Sequence, residues 1–202
     1  MLTHPMPTGL NERFDALGFA IIEYALSRDD LAIMDDLFPR LDHRAAGAQI
    51  DGLSMEARTW LGAHEGLALL AGRLLGAGVE CATPRVTRFV ALDQVVAASW
   101  FVPWQQVHSG DGADLARTVV LRVYLDDCDE DSGPLEVVPA SHVYGRLGTA
   151  QTAAIVARSQ PLLCLTVRGD IVAMRPLAVH RSQRARVARV RRVLHLEYRV
   201  LS

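Results

Sequence analysis

Lysine is missing from this chain: all 21 basic residues are arginine. That excludes Schiff-base catalysis and any other role that needs a lysine amine. Cysteine is scarce. Cys81, Cys128 and Cys164 are far apart and form no C-x-x-C pair, so neither a structural zinc site nor a disulfide framework is expected, only buried thiols in a reducing compartment. No apolar run approaches the length of a membrane span. The opening eleven residues carry two prolines and no apolar stretch, unlike a secretory leader. Net charge is also small, at −2, which gives no electrostatic case for nucleic acid or an anionic membrane as partner. The expectation is a cytoplasmic protein whose partner is a small molecule.

What is present is apolar material in two different rhythms. Half of the 202 residues are hydrophobic, enough for one sizeable core. The reading is a single domain over 1–202, with a mainly helical lead-in at 1–78 and a strand-rich core at 79–202. Asn11 is expected to cap a short helix that Gly18 ends. A strand follows from Phe19 to Tyr24. Ser27, with Asp29 and Asp30 behind it, opens a helix whose Leu31, Met34, Leu37 and Phe38 share one face. Further helices are expected near 54–61 and 63–75.

From residue 79 the period changes. Short β-branched runs at 79–91, 117–125, 135–138, 162–167, 170–174 and 192–200 alternate with turns, the sharpest being Asp131-Ser132-Gly133-Pro134 and Arg168-Gly169-Asp170. One helical segment near 149–158 interrupts them. Helices first and strands afterwards define an α+β protein, with helices packed outside a sandwich or jelly roll. The last strand alternates: Leu194, Leu196 and Tyr198 suit a face under helices, whereas Arg191, Val193, His195 and Glu197 suit the lining of a polar pocket.

The strand-rich part carries a series of motifs in fixed order. They are Val102-Pro103-Trp104, the acidic turn from Leu125 through Asp126 and Asp127 to Leu135, Pro139-Ala140-Ser141-His142, Gly169-Asp170, Met174-Arg175-Pro176-Leu177 leading to His180, and Arg191 to Glu197. Together, over 79–200, they resemble the phytanoyl-CoA dioxygenase family of Fe(II)/2-oxoglutarate oxygenases. That resemblance implies a double-stranded β-helix, an iron held by two histidines and one carboxylate, and an arginine forked onto the distal carboxylate of 2-oxoglutarate. His180 matches the distal metal histidine and Arg191, eleven residues later, matches the carboxylate-binding arginine. Arg192 then points to the opposite face. Gln105 and Val107 stand where the family has its proximal His and Asp.

The departure has a chemical consequence. Valine has no lone pair, and an amide carbonyl is a weak neutral ligand for Fe(II) beside imidazole. The expectation is therefore a fold retained and a metal site degraded, with no cofactor. His180, His195 and Gln105 are the candidate catalytic groups, Arg191 the candidate site for a 2-oxoglutarate-like carboxylate, and Trp104 a candidate pocket residue. On this reading the protein does metal-independent chemistry, of cyclisation or isomerisation type, on a small secondary-metabolite-like substrate. Two alternatives stand beside it. One is an active oxygenase using Fe(II) and 2-oxoglutarate with a triad rebuilt from His108, Asp111 and His180. The other is a non-catalytic binding or regulatory pseudoenzyme.

Overall fold

The computed structural model describes residues 8–38, 54–76, 89–91, 101–106, 115–187 and 191–199. The lead-in supplies α1 (Leu10–Leu17), β1 (Phe19–Ile22), α2 (Arg28–Leu37), α3 (Met55–Ala63) and α4 (Glu65–Leu74). The remainder supplies β2 (Phe89–Ala91), β3 (Val102–Gln105), β4 (Thr118–Tyr124), β5 (Leu135–Val137), α5 (Thr149–Ala157), β6 (Leu162–Cys164), β7 (Ile171–Met174), β8 (His180–Ser182) and β9 (Val193–Arg199). The strands form two sheets, a major one in the order β1-β7-β4-β9-β2 and a minor one in the order β3-β8-β5-β6. Every pairing is antiparallel. This is the expected α+β jelly roll, with one addition: β1, from the lead-in, is an edge strand of the major sheet.

Local chemistry explains the helix ends. Ser27 caps α2 by accepting from the Asp30 amide at 3.0 Å, and the Asp30 carboxylate reaches back to the Ser27 amide, a reciprocal capping box. Gly18 closes α1 at φ 78°, where its amide bonds the Phe14 carbonyl. The start of α1 corrects the sequence reading. Gly9 is the capping residue, and Asn11 lies inside the first turn with its amide donating to the Arg73 carbonyl at 2.8 Å. The sequence favoured asparagine for its capping chemistry, but that side chain ties α1 to α4 instead.

Alternation sorts the major sheet into two faces. Val119, Leu121, Val123, Ile171, Ala173, Leu194, Leu196 and Tyr198 pack under the helices with Phe14, Met34, Leu61, Leu67 and Leu70. Each such buried leucine contributes about 1.5–3 kcal/mol. The opposite face meets the minor sheet: Val120, Tyr124, Val172, Met174 and Val193 pack on Leu135, Val137 and Cys164. The pattern read from β9 holds on both faces.

One buried polar node fastens the helices to the sheet. The Arg192 guanidinium donates to both Asp126 carboxylate oxygens at 2.9 Å, to Asp35 at 2.8 Å, and to the Phe38 carbonyl at 2.8 Å. Arg168 bonds the other Asp35 oxygen at 2.7 Å. Strand β9 and the turn before β7 are thereby clamped to α2.

Candidate functional site

The site lies between the sheets, and two short strands of the minor sheet build its wall. His180 opens β8, with Val137 of β5 beside it on one side and Gln105 of β3 on the other. The register slips between Val102 and Gln105: two residues of β3, Pro103 and Trp104, oppose one of β8, Arg181. Without that bulge Trp104 would stand opposite His180; with it Gln105 does. Gln105, an exposed residue, is thus the register partner of the buried His180. Val107, His108 and Asp111 lie outside the described residues, as does Cys81.

The His180 ring is buried, and its Nδ1–H donates to the Ala178 carbonyl at 2.9 Å. A carbonyl can only accept, so this contact fixes the tautomer of the neutral ring and makes Nε2 the basic nitrogen. Gln106, the next residue along β3, holds that strand in place. Its Nε2 donates to the carbonyls of Gly145 at 2.9 Å and Leu177 at 2.7 Å, and its Oε1 accepts from the Leu147 amide at 2.9 Å. Nothing in the Gln-Gln pair singles out Gln106 over Gln105 as the residue that positions the wall.

Arg191 enters from the end of β9 and is among the largest fully buried side chains. Its NH1 donates to the Gly133 carbonyl and approaches Cys128 Sγ at 3.7 Å. Gly133 needs to be glycine: its φ is +71°, and a Cβ there would stand 2.6 Å from the Gln183 carbonyl oxygen. Arg192 turns to the helix side, so the two adjacent arginines part to opposite faces as predicted. Burial pushes the Tyr124 phenol up to about 12, with Arg122 and Arg191 opposing it. Burial likewise raises the Cys128 thiol, against Arg191, and raises the Cys164 thiol to about 12. These groups stay protonated at neutral pH, so the thiols are not nucleophiles.

His195 lies on the same inward face of β9, paired in register with Arg122 of β4 and Val90 of β2, with Nε2 3.5 Å from the Glu197 carboxylate. Trp104 is elsewhere. It packs beside Val138, Ile155 and Val179, and the Arg181 guanidinium covers its ring at 4.6 Å. Arg181 follows His180 on β8 and so faces the other way. Trp104 therefore belongs to the outer face of the minor sheet, and its assignment to the pocket is corrected. The residue missed was Arg122. An arginine at the centre of Thr-Val-Val-Leu-Arg-Val-Tyr, a strand buried nearly throughout, was a visible signal.

An iron site of this architecture needs two imidazoles and a carboxylate. The positions that the sequence resemblance sets against that triad are His180, Gln105 and Val107. Among the described residues no three His, Cys, Asp or Glu converge. The buried Arg191 guanidinium, by contrast, fits a carboxylate.

The architecture is thus a jelly roll with a histidine on one sheet and a buried arginine just before the last strand of the other. The model of the family described as phytanoyl-CoA dioxygenase (PhyH) matches residues 61–193, well over half of the chain, and the chain belongs to that family. Solved structures share the fold. AviO1 from Streptomyces viridochromogenes Tue57 is 23% identical, with 98% of this chain and 96% of that chain covered at a TM-score of 0.70. SnoK, a non-heme alpha ketoglutarate dependent carbocyclase from nogalamycin biosynthesis, is 17% identical, with 96% and 84% covered at 0.71. The epimerase SnoN, in complex with Fe3+, alpha ketoglutarate and nogalamycin RO, is 17% identical, with 95% and 82% covered at 0.70. Among curated proteins there is no match. No helix among the described residues is long and apolar enough to cross a membrane.

Proposed function

We propose that this PhyH-family protein is a repurposed enzyme that binds a carboxylate-bearing small molecule at Arg191 and moves a proton at His180 Nε2, without a resident iron. The observation that carries the reading is the register pair of Gln105 and His180. On this reading Gln105 stands in place of the family's imidazole and Val107 in place of its carboxylate. An imidazole held in one tautomer by Ala178 is suited to general acid–base work. The Gln105 amide supplies a donor and an acceptor beside it, and His195 with Glu197 offers a second proton-transfer pair across the layer. Proton transfer at a carbon or heteroatom is the elementary step of isomerisations and of many cyclisations. The carbocyclase and epimerase among the structural neighbours make a natural-product-like substrate the favoured class.

A second reading has its own support, since the SnoN structure holds Fe3+ and alpha ketoglutarate. On that reading His108 and Asp111 join His180 in a rebuilt triad and the protein is an active oxygenase. Anaerobic loading with Fe(II), followed by gel filtration and metal analysis, separates the two. The proposed function expects far less than one iron per chain and no 2-oxoglutarate consumption. Tight iron at one per chain, with 2-oxoglutarate decarboxylation, refutes it. Replacing His180 by Gln then distinguishes a catalyst, which loses turnover, from a pseudoenzyme, in which only affinity changes.

A further inference from the structure

Ser141 is fully buried, although Val143 and Tyr144 of the same short 3-10 helix, Ser141–Tyr144, are exposed. Ala140 before it takes a left-handed φ of 57°, a conformation that is costly for an L residue. The turn brings the Ser141 hydroxyl back beneath the end of β5, where it enters a sheet ladder. Extending the β5–β8 register by one residue from Val137 and His180 sets Val138 opposite Val179. Hydrogen-bonded pairs alternate along an antiparallel ladder. The Gln183 amide bonds the Pro134 carbonyl at 3.0 Å, and by that alternation Val138 and Val179 should exchange two bonds. Only one is direct: the Val138 amide donates to the Val179 carbonyl at 2.9 Å. In the other direction the Val179 amide donates to Ser141 Oγ at 2.8 Å, and that hydroxyl donates to the Val138 carbonyl at 2.7 Å. A side-chain hydroxyl stands in the ladder one residue before His180.

The insertion reaches His180 through a shared peptide. The Val179 N–H and the Ala178 carbonyl belong to one planar unit, and that carbonyl accepts from His180 Nδ1 at 2.9 Å. Ser141 holds one end of the plane whose other end holds the imidazole. The donors all run one way, from His180 Nδ1–H through the peptide to Ser141 and on to Val138, so each bond polarises the next. The preceding peptide is fastened separately: Gln106 donates to the Leu177 carbonyl at 2.7 Å, and the Ala178 amide to the Arg175 carbonyl at 3.0 Å.

We infer that Ser141 is a positioning residue for His180: it orients the Ala178–Val179 peptide and so selects the tautomer whose basic nitrogen is Nε2. The inference rests on the proton-transfer role proposed above for His180. Its test is nitrogen NMR of the full chain with isotope-labelled histidine rings, in chelator-containing buffer at about pH 8.5, well above the ordinary imidazole value of about 6.5. The His180 signals are those that His180→Gln removes. The intact protein should show His180 protonated at Nδ1. Ser141→Ala should lower that tautomer preference by about fivefold or more, the scale of one ordinary hydrogen bond, whereas Ser141→Thr keeps the hydroxyl and should keep the preference. Ser141→Cys, a weaker donor and acceptor of similar size, serves if the alanine variant does not fold, and should fall between the two. An unchanged His180 tautomer in a folded alanine or cysteine variant overturns the inference, whatever the melting temperature does, and leaves the reading of His180 standing. Equal loss in the threonine and alanine variants makes packing the cause and also overturns it. A His180 ring protonated at Nε2 in the intact protein overturns the reading of His180 itself, and the inference with it.

Discussion

Replacing Arg192 by methionine cuts the node that joins the helices to the major sheet. The guanidinium is 2% exposed and Asp126, its main partner, 6%. Without it the Asp126 carboxylate stays buried with its charge, and the carbonyls of Phe38 and Leu125 lose a donor. Breaking a buried ion pair from one side costs about 3–5 kcal/mol. For a chain of this size that lowers the melting temperature by roughly 6–20 °C, at about 2–4 °C per kcal/mol. Urea or thermal unfolding followed by circular dichroism measures it. The double variant Arg192→Met with Asp126→Leu should recover a large part of the loss, because replacing both partners removes the stranded charge. A single variant within about 1 kcal/mol of the parent, or a double variant no better than the sum of its parts, would refute the claim that this node is a buried charge pair.

Two other expectations concern the wall of the site and a half-buried histidine. Gln105→His with Val107→Asp restores the family's ligand types opposite His180 and should give a folded protein that binds Fe(II) near one per chain; a folded double variant without iron sinks the register argument. Burial holds the His142 imidazole below its ordinary value, Arg175 acts in the same direction, and Asp15 opposes them. A depressed folded value means that the contribution is complete above the unfolded value of about 6.5 and is lost as pH falls from there through the folded value. Stability should therefore decline between neutral pH and about pH 5, and His142→Gln should flatten that slope; an equal slope in both proteins refutes the assignment.

Most of the scaffold was legible in the sequence, because long periodic segments declare themselves. The capping box at Ser27, the stop at Gly18 and the two faces of β9 are each fixed by neighbours close in the chain. The walls of the site were harder. Strand β8 is His-Arg-Ser, three residues without a β-branched side chain, and it is a strand only because β5 and β3 flank it. The bulge in β3 has no signature in Val-Pro-Trp-Gln, yet it decides that Gln105 and not Trp104 faces His180. Trp104 read as a pocket residue because aromatic rings suit pockets equally well as cores. Its true surroundings, α5 and Arg181, come from segments more than forty residues away.

Among the described residues, strand β3 borders the minor sheet and pairs with β8 alone. A residue on such a margin can change its chemistry while the interior packing goes on undisturbed, and Gln106 keeps the margin straight whichever groups flank it. Substitutions at that margin therefore carry small risk to folding, which leaves the chemistry of the wall open to change on a constant architecture.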